Sequence, residues 1–248
     1  MKQNLDQLEG RNVIIEVLRR RKRPVHQIFL DRRAKMDRKV REIVHVAQKR
    51  KIRVQQVPRE ALDKMSSTGV HNGVIATADP LPKISITELL DGIYQKNELP
   101  FLVLADELNY EQNLGAILRS SMGAGVHGVV VPHVRGKGLT PVVQRVSMGG
   151  SEEVPLIREG LSNALKHIRN ADVTVIGADM GGVPIWNLDL TGAVAFVFGG
   201  ESKGLSPTLR KKCNHIASIP LKRSLDSLNV SVAAGVFLFE KLRQERDV

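Results

Sequence analysis

Residues 101–124 of this chain read FLVLADELNYEQNLGAILRSSMGA. Five apolar residues come first, eight mostly polar residues follow, and residues 114–124 then repeat their apolar side chains at helical spacing. An apolar run without polar alternation is typical of a strand that is covered on both faces, as in parallel sheets. The stretch therefore predicts a strand, a loop and a helix of an α/β domain.

Similar apolar runs recur through the second half of the chain, with helical patterns between them. We expect strands at residues 128–131, 174–178, 193–198 and 216–219, and helices at residues 161–170, 207–212 and 232–246. Strands that alternate with helices pack as a parallel sheet with helices on its faces. The pattern predicts an α/β fold with a parallel sheet of five or six strands.

The first third of the chain shows a smaller α/β pattern. Helices are expected at residues 11–21, 37–50 and 59–65, and strands at residues 26–30, 53–57 and 73–78. Asp-Pro-Leu-Pro at residues 79–82 interrupts this pattern and is typical of a linker. We therefore expect a small domain at residues 1–79, a linker and leading helix at 80–98, and a second domain at 99–248.

Positive charge is concentrated in the small domain. The chain carries a formal net charge of +11 and has a pI of about 10.0, and residues 1–80 hold 19 basic and 9 acidic residues. Solvated helix faces account for part of this excess, since cations such as Arg19 and Arg20 are favoured near a helix C-terminus. The rest of the excess favours a nucleic-acid partner. Aromatic residues make up only 4% of the chain, so phosphate contacts are expected rather than base stacking.

Several kinds of site are excluded by motifs that the sequence lacks. It contains no phosphate-binding P-loop, no dinucleotide glycine fingerprint and no HExxH zinc motif. The single cysteine, Cys213, excludes an internal disulfide and an all-cysteine metal site. No apolar run approaches about 20 residues, and the first residues lack the apolar core of a secretory signal. We therefore expect a cytoplasmic protein without a bound metal.

Three polar segments follow expected strands, at the carboxyl ends where open α/β sheets bind their ligands. The first holds Asn113 and Arg119, the second places Glu201 after two glycines, and the third runs from Ile219 into a helix start rich in serine. Ordinary structural roles are open for these residues. Asn113 and Asn229 suit helix N-caps. Arg119 suits a salt bridge or a phosphate clamp, and Glu201 suits a helix N-terminus.

Taken together and in this order, the three segments resemble the SpoU (TrmH) family of RNA ribose 2′-O-methyltransferases. The motifs are NLGAIxR, FGGExxGL and IPxxxSxxSLNVSVA, and the resemblance spans about residues 100–248. The first domain, which includes GVHNGVIA at residues 69–76, resembles the L30e-like substrate-binding domain of the 23S ribosomal RNA guanosine 2′-O-methyltransferase subgroup. The resemblance implies a C-terminal trefoil knot, a rare exception to un-knotted chains, and a homodimer that completes the site.

The resemblance also implies functional residues and a cofactor. The catalytic positions of the family match Asn113, Arg119, Glu201, Ser227 and Asn229. The implied cofactor is S-adenosylmethionine, and the residues that line its site match Gly199, Gly200, Ile219, Leu221, Ser227 and Leu228. The chain departs from the family pattern at residues 110–112, where Asp-Pro is frequent, and at Arg223, where glycine is frequent. Neither departure removes a catalytic position.

The implied activity is methyl transfer from S-adenosylmethionine to a ribose 2′-hydroxyl of RNA, with a guanosine of 23S ribosomal RNA as the expected target. Two alternatives stay open: a non-catalytic RNA-binding factor of ribosome assembly, and a tRNA 2′-O-methyltransferase. Because a guanidinium rarely gives up its proton, we expect Arg119 to clamp a substrate phosphate instead of acting as a base. Asn113 and Asn229 are then expected to position the reacting ribose.

Overall fold

A computed structural model of the chain describes residues 5–134, 136–200, 204–222 and 227–246. The chain forms two compact units, and each is described here by itself. The first joins Met1–Pro82 with Leu139–Glu153, and the second joins Lys83–Gly138 with Val154–Val248. Across the described ranges, none of the helices combines the length and the apolar character that crossing a membrane requires.

The helices and strands of the described residues alternate along most of the chain. In chain order they are β1 (Asp6–Glu9), α1 (Arg11–Arg20), β2 (Val25–Asp31), α2 (Arg38–Lys49), β3 (Arg53–Val57), α3 (Arg59–Met65), β4 (Val74–Ala78), α4 (Ile86–Tyr94), β5 (Phe101–Ala105), α5 (Glu111–Ala124), β6 (Gly128–Val131), α6 (Pro141–Ser147), α7 (Gly150–Glu153), β7 (Leu156–Arg158), α8 (Leu161–Asn170), β8 (Thr174–Pro184), β9 (Val194–Phe198), α9 (Pro207–Arg210), β10 (His215–Ser218) and α10 (Val230–Arg246).

The sheet of the first unit has the strand order β1-β4-β2-β3. β2 and β3 pair in parallel, whereas β4 runs antiparallel to both β1 and β2. The aliphatic faces of α1 and α2 pack on this sheet, with Val13, Ile14 and Ile43 in one buried cluster. The three expected helices and three expected strands are present. β1 was not predicted, because its four residues read Asp-Gln-Leu-Glu and show no run of apolar side chains.

Arg23 belongs to the basic run after α1, yet its side chain is only 1% exposed. Its guanidinium donates to Asp6 at 2.5 Å, to Glu152 at 2.5 Å and to Gln144 at 2.7 Å. Gln144 and Glu152 lie on α6 and α7, so this cluster ties residues 139–153 into the first unit. The sequence pattern places those residues in the second domain instead, because local periodicity carries no information on partners that lie 121 and 129 residues away.

The second unit contains a six-stranded parallel sheet with the order β10-β8-β9-β5-β6-β7. All residues of the central strands β5 and β9 are buried, as their apolar runs predict. The α/β fold and the parallel sheet expected from the sequence are therefore confirmed. Two features were not predicted: the short edge strand β7, and the continuation of β8 to Pro184, past its expected end at residue 178.

Helices α5 and α10 of the second unit lie side by side and run in the same direction. A side chain at Gly235 of α10 would meet Ser120 of α5, and a side chain at Gly123 of α5 would meet Phe239 of α10. Residue numbers therefore increase in the same direction along both helices. Glycine at each of these two contacts allows the backbones to approach closely. The N-termini of the two helices consequently lie at the same end of the pair.

Candidate active site

A cavity of ≈ 470 Å³ lies at the carboxyl edge of the six-stranded sheet. Parallel strands bring their carboxyl ends to one edge, and this is where open α/β sheets bind ligands. The start of α10 and the N-cap of α5 complete the cavity. Its lining residues are Tyr110, Ala178, Asp179, Met180, Phe198, Gly199, Gly200, Gly204, Ala217, Ser218, Ile219, Leu221, Ser227, Leu228, Asn229, Val230, Ala233 and Phe237.

The glycines after β9 allow two backbone segments to touch at the cavity. Gly200 and Gly204 exchange backbone hydrogen bonds of 3.0 and 2.9 Å, and Gly204 has a φ of +62°, which favours glycine. A Cβ atom at Gly199 would lie 2.0 Å from the carbonyl carbon of Gly204, so no side chain fits there. The FGG motif therefore presents bare backbone to the cavity. Glu201 lies outside the described residues.

The cavity fits S-adenosylmethionine in size and in chemistry. Its volume of ≈ 470 Å³ lies in the range of small-molecule and cofactor sites. The apolar side chains of Ile219, Leu221 and Leu228 line it and suit a flat base, while the backbone of Gly199 and Gly200 can approach polar groups closely. All six residues that the resemblance places at the cofactor site line this one cavity.

Two of the expected catalytic residues contact each other directly. The side-chain amide of Asn229 donates to Oδ1 of Asn113 at 3.1 Å, across 116 residues of sequence. Asn113 is buried, with 7% of its surface exposed. Since Asn229 also lines the cavity, this hydrogen bond connects Asn113 to the cavity wall.

The sequence suggests that both asparagines are helix N-caps, and this prediction holds for only one of them. The interpretation of Asn113 as an N-cap is wrong, because α5 begins at Glu111 and Tyr110 is its N-cap. Asn113 instead lies within the first turn. Asn229 does cap α10: its Oδ1 accepts from the backbone N of Ser231 at 2.9 Å and from the Ser231 hydroxyl at 2.6 Å. One amide therefore serves both as a helix cap and as a link to Asn113.

Arg119 lies on α5 and is exposed. Within the described part of the chain, its guanidinium makes no hydrogen bond or ion pair. The salt-bridge role considered for Arg119 thus finds no partner among the described residues. Neither Arg119 nor Asn113 belongs to the described lining of the cavity, whereas Ser227 does. Arg223, the second departure from the family pattern, lies outside the described residues.

Asp179 is a cavity residue that the sequence analysis missed. It lies on β8 directly after the expected strand end, and it is the one carboxylate among the described lining residues. Arg210 of α9 forms an ion pair with it. An acidic residue right after a buried run, at the sheet edge that binds ligands, was a signal available in the sequence. In the described ranges, no group of three or more His, Cys, Asp or Glu side chains could hold a metal ion.

Comparison with known protein families identifies both parts of the chain. The SpoU rRNA Methylase family matches residues 100–239, and the family described as RNA 2′-O ribose methyltransferase substrate binding matches residues 7–83. The chain belongs to the SpoU rRNA methylase family. As a member, it is an S-adenosylmethionine-dependent RNA ribose 2′-O-methyltransferase, so the reaction and cofactor predicted from the three motifs are confirmed.

Individual members of the SpoU family support this assignment. The chain is 32% identical to the TrmH-family protein YacO of Bacillus subtilis over 250 residues, which cover 100% of this chain and 99% of that protein. It is 38% identical to the 23S rRNA (guanosine-2′-O-)-methyltransferase RlmB of Shewanella oneidensis over 195 residues, 78% of this chain and 79% of that protein. The crystal structure of the SpoU methyltransferase AviRb from Streptomyces viridochromogenes has a similar fold, with a TM-score of 0.81 at 22% identity, and covers 98% of this chain and 90% of that one.

Proposed function

We propose that this SpoU methyltransferase methylates the ribose 2′-hydroxyl of a guanosine in 23S ribosomal RNA, in the cytoplasm. The observation that carries the proposal is the cavity at the sheet edge, whose wall contains Asn229 in contact with Asn113. The choice of 23S RNA is supported by the RlmB relative of Shewanella oneidensis, which matches 78% of this chain. Residues 1–79 are proposed to bind the RNA, and residues 99–248 to carry the reaction.

The cofactor is proposed to bind in the cavity. When bound, S-adenosylmethionine supplies a methyl group on a positively charged sulfur, so the methyl carbon is already activated for attack by the ribose oxygen. The protein has to align the reacting atoms and exclude competing orientations. Gly199 and Gly200 are placed to hold polar groups through their backbone, and Ile219, Leu221 and Leu228 to hold the adenine. Asp179 is placed to accept hydrogen bonds from the cofactor.

The methyl transfer forms one carbon–oxygen bond, breaks one carbon–sulfur bond and releases the proton of the 2′-hydroxyl. We assign Arg119 to a phosphate of the RNA, which it can bind with two parallel hydrogen bonds while staying protonated. That phosphate helps to position the hydroxyl, and the released proton goes to solvent water. Asn113 and Asn229 are assigned to the orientation of the ribose, and Ser227 to the cavity wall beside them. Glu201 is assigned to fix either the geometry of its loop or the position of Arg119.

A second copy of the chain is proposed to complete the site, and a trefoil knot to form the C-terminal part of the unit. An exposed apolar stripe on α10 supports the dimer: Val232, Val236 and Phe239 are 52, 36 and 49% exposed and share one helix face. We expect Val236→Glu to convert a dimer to a monomer in analytical ultracentrifugation. Val134→Glu, at a separate exposed valine, is the control. A wild-type monomer, or a dimer that Val236→Glu leaves intact, would contradict the proposal.

The test of the function is methyl transfer from radiolabelled S-adenosylmethionine to purified ribosomal RNA and to transfer RNA. The expected result is label in a 2′-O-methylated guanosine of 23S ribosomal RNA, located by nuclease mapping. Label in transfer RNA alone would favour the tRNA enzyme instead. RNA binding without cofactor binding would favour a non-catalytic assembly factor.

A further inference from the structure

A second concavity of ≈ 610 Å³ lies within the first unit, and we call it the basic cleft. Four of its lining residues are basic, namely Arg11, Arg38, Lys39 and Arg59. Asp37 is the one acidic residue among the described lining, and two asparagines complete it. The described lining contains no apolar and no aromatic side chain. A surface of this composition suits an extended, hydrated anion and does not suit an apolar ligand.

The basic residues of the cleft lie at the starts of three helices. Arg11 begins α1, Arg38 and Lys39 begin α2, and Arg59 begins α3. The N-terminus of a helix carries partial positive charge, so cations are unfavourable there and favourable at the opposite end. The first turns of α1 and α2 contain no acidic residue, whereas Asp37 caps α2 and Glu60 lies in the first turn of α3. The helix dipoles therefore do not favour this placement of cations, whereas binding of an anion does.

Much of the charge in the basic cleft is not neutralised by the protein. Arg38 makes no hydrogen bond or ion pair with a described residue, and it interacts with Glu42 only through their charges. Arg59 is 63% exposed and approaches its acidic neighbour Asp31 no closer than 3.9 Å. The Nζ atom of Lys39 donates at 2.7 Å to the neutral amide oxygen of Asn12. These three cations remain available to a ligand, whereas Arg11 forms an ion pair with Asp37.

The loop at residues 66–72, which contributes Asn72 to the basic cleft, is fixed by hydrogen bonds to buried side chains. Asn72 lines the cleft, and its carbonyl accepts from Nε of Arg11 at 2.9 Å. The preceding residue, His71, is buried and bonds Asp63 at 2.8 Å through Nε2. Glu9, also buried, accepts hydrogen bonds from the loop residues 66–68. The cleft is thus a preformed surface, which reduces the ordering cost of binding.

We propose that the basic cleft binds the sugar–phosphate backbone of the RNA substrate. Without aromatic side chains in its described lining, it has no platform for base stacking. Phosphate contacts fix position and affinity and carry no sequence information. The cleft therefore sets how tightly the RNA is held, and the choice of nucleotide is made elsewhere. This inference rests on the proposed function for the identity of the RNA.

The test compares two variants that lose the same charge from the same unit. The cleft variant is Arg38→Gln/Lys39→Gln/Arg59→Gln, which spares the ion pair of Arg11. Its binding to a 23S ribosomal RNA transcript is measured without cofactor, at several salt concentrations. The dissociation constant is expected to rise about 10-fold or more, and the slope of log affinity against log salt to become shallower by about 2 to 3.

The matched control is Lys49→Gln/Arg53→Gln/Lys64→Gln, three exposed basic residues that do not line the cleft. Its RNA affinity and salt slope are expected to stay close to those of the wild type. Equal weakening of both variants would mean that bulk charge attracts the RNA, and would overturn the inference. Tighter binding of anionic phospholipid vesicles than of RNA, lost in the cleft variant, would overturn it as well.

The design separates this inference from the proposed function. Calorimetric binding of S-adenosylmethionine and the melting temperature are expected to be unchanged in both variants. If the wild type transfers no methyl group but loses RNA affinity only in the cleft variant, the function fails and the inference stands. If methyl transfer to 23S ribosomal RNA proceeds while the cleft variant equals the control, the inference fails and the function stands.

Discussion

The side-chain amide of Asn229 donates a hydrogen bond to Oδ1 of Asn113 at 3.1 Å and joins the N-termini of two parallel helices. The same Asn229 uses its own Oδ1 to cap α10. Its two polar atoms therefore have separate tasks, one for the helix and one for the contact between helices. Since Asn229 lines the cavity, loss of its contact with Asn113 is expected to alter the geometry of the site.

The two tasks of Asn229 can be separated by Asn229→Ser. Serine is a good N-cap but lacks the amide that reaches Asn113. We expect a melting temperature close to that of the wild type and a kcat lower by about 10-fold, since a lost hydrogen bond in a partly buried site costs about 1–3 kcal/mol. Ser231→Ala, which removes one donor to the cap and leaves the link to Asn113, should retain near-native kcat. Equal kcat in both variants would contradict the role of the link.

Arg119 is expected to need its guanidinium and not merely its charge. Arg119→Lys keeps the charge but cannot bind a phosphate with two parallel hydrogen bonds. A charge-assisted hydrogen bond contributes about 1.5–3 kcal/mol, so turnover at saturating RNA should fall about 10- to 100-fold. The affinity for S-adenosylmethionine, measured by calorimetry, should not change. Near-native turnover of Arg119→Lys would rule out a bidentate role.

Asp179 is expected to contribute to cofactor affinity. Asp179→Asn removes the carboxylate that faces the cavity while preserving side-chain size. The dissociation constant for S-adenosylmethionine, measured by calorimetry without RNA, should rise about 10- to 100-fold, as expected for the loss of hydrogen bonds to a charged acceptor. Asp189→Asn is the control, since Asp189 bonds only Thr191 among described residues and lies outside the cavity lining. Unchanged affinity in Asp179→Asn would remove this residue from the site.

Glu9 makes the stability of the first unit dependent on pH in the acid range. Burial acts to raise the pKa of Glu9, but hydrogen bonds from Thr68, Ser66, Ser67 and Gln7 outweigh it and lower the pKa from 4.5 to about 2. A lowered pKa stabilises the folded state above pH 4.5, and this contribution is lost as the pH falls towards 2. It amounts to about 3 kcal/mol.

We therefore expect Glu9→Gln to lower the free energy of urea unfolding by about 3 kcal/mol at pH 7. The difference from the wild type should shrink steadily between pH 4.5 and pH 2, where the carboxylate of the wild type becomes protonated. A difference that stays constant over this range would show that the ionised carboxylate contributes nothing.

Arg23 is expected to be the most sensitive basic residue of the run after α1. Burial raises the pKa of Glu152, and Arg23 offsets only part of this rise. Arg23→Met would leave the buried Glu152 carboxylate without its partner, at a cost of about 3–5 kcal/mol in the free energy of unfolding. Lys22→Met breaks an exposed pair with Glu153 and should cost at most about 1 kcal/mol. Adding Glu152→Met to Arg23→Met should restore stability; failure to do so would contradict the pairing.

Most of the fold follows from local features of the sequence. The apolar runs of β5 and β9 and the helical spacing of α5 are visible without any structure. A strand that is buried on both faces shows a continuous apolar run, whereas a helix that is buried on one face repeats its apolar residues at helical spacing. The two glycines after β9 are also visible in the sequence, and glycine allows two backbone segments to approach closely. The residues that the family motifs match to a cofactor site line one cavity, and their role in binding the cofactor stays a prediction.

Long-range partners account for what these local features missed. Asp179 pairs with Arg210, 31 residues away, and Arg23 pairs with Glu152, 129 residues away. Asn229 donates a hydrogen bond to Asn113 across 116 residues. Periodicity records which face of an element is buried, because that depends on near neighbours in the chain. It does not record which distant side chain arrives beside a given polar atom. That pairing arises only when the helices and strands pack together, and it decides whether a charge ends in the core, in the cleft or in the active site.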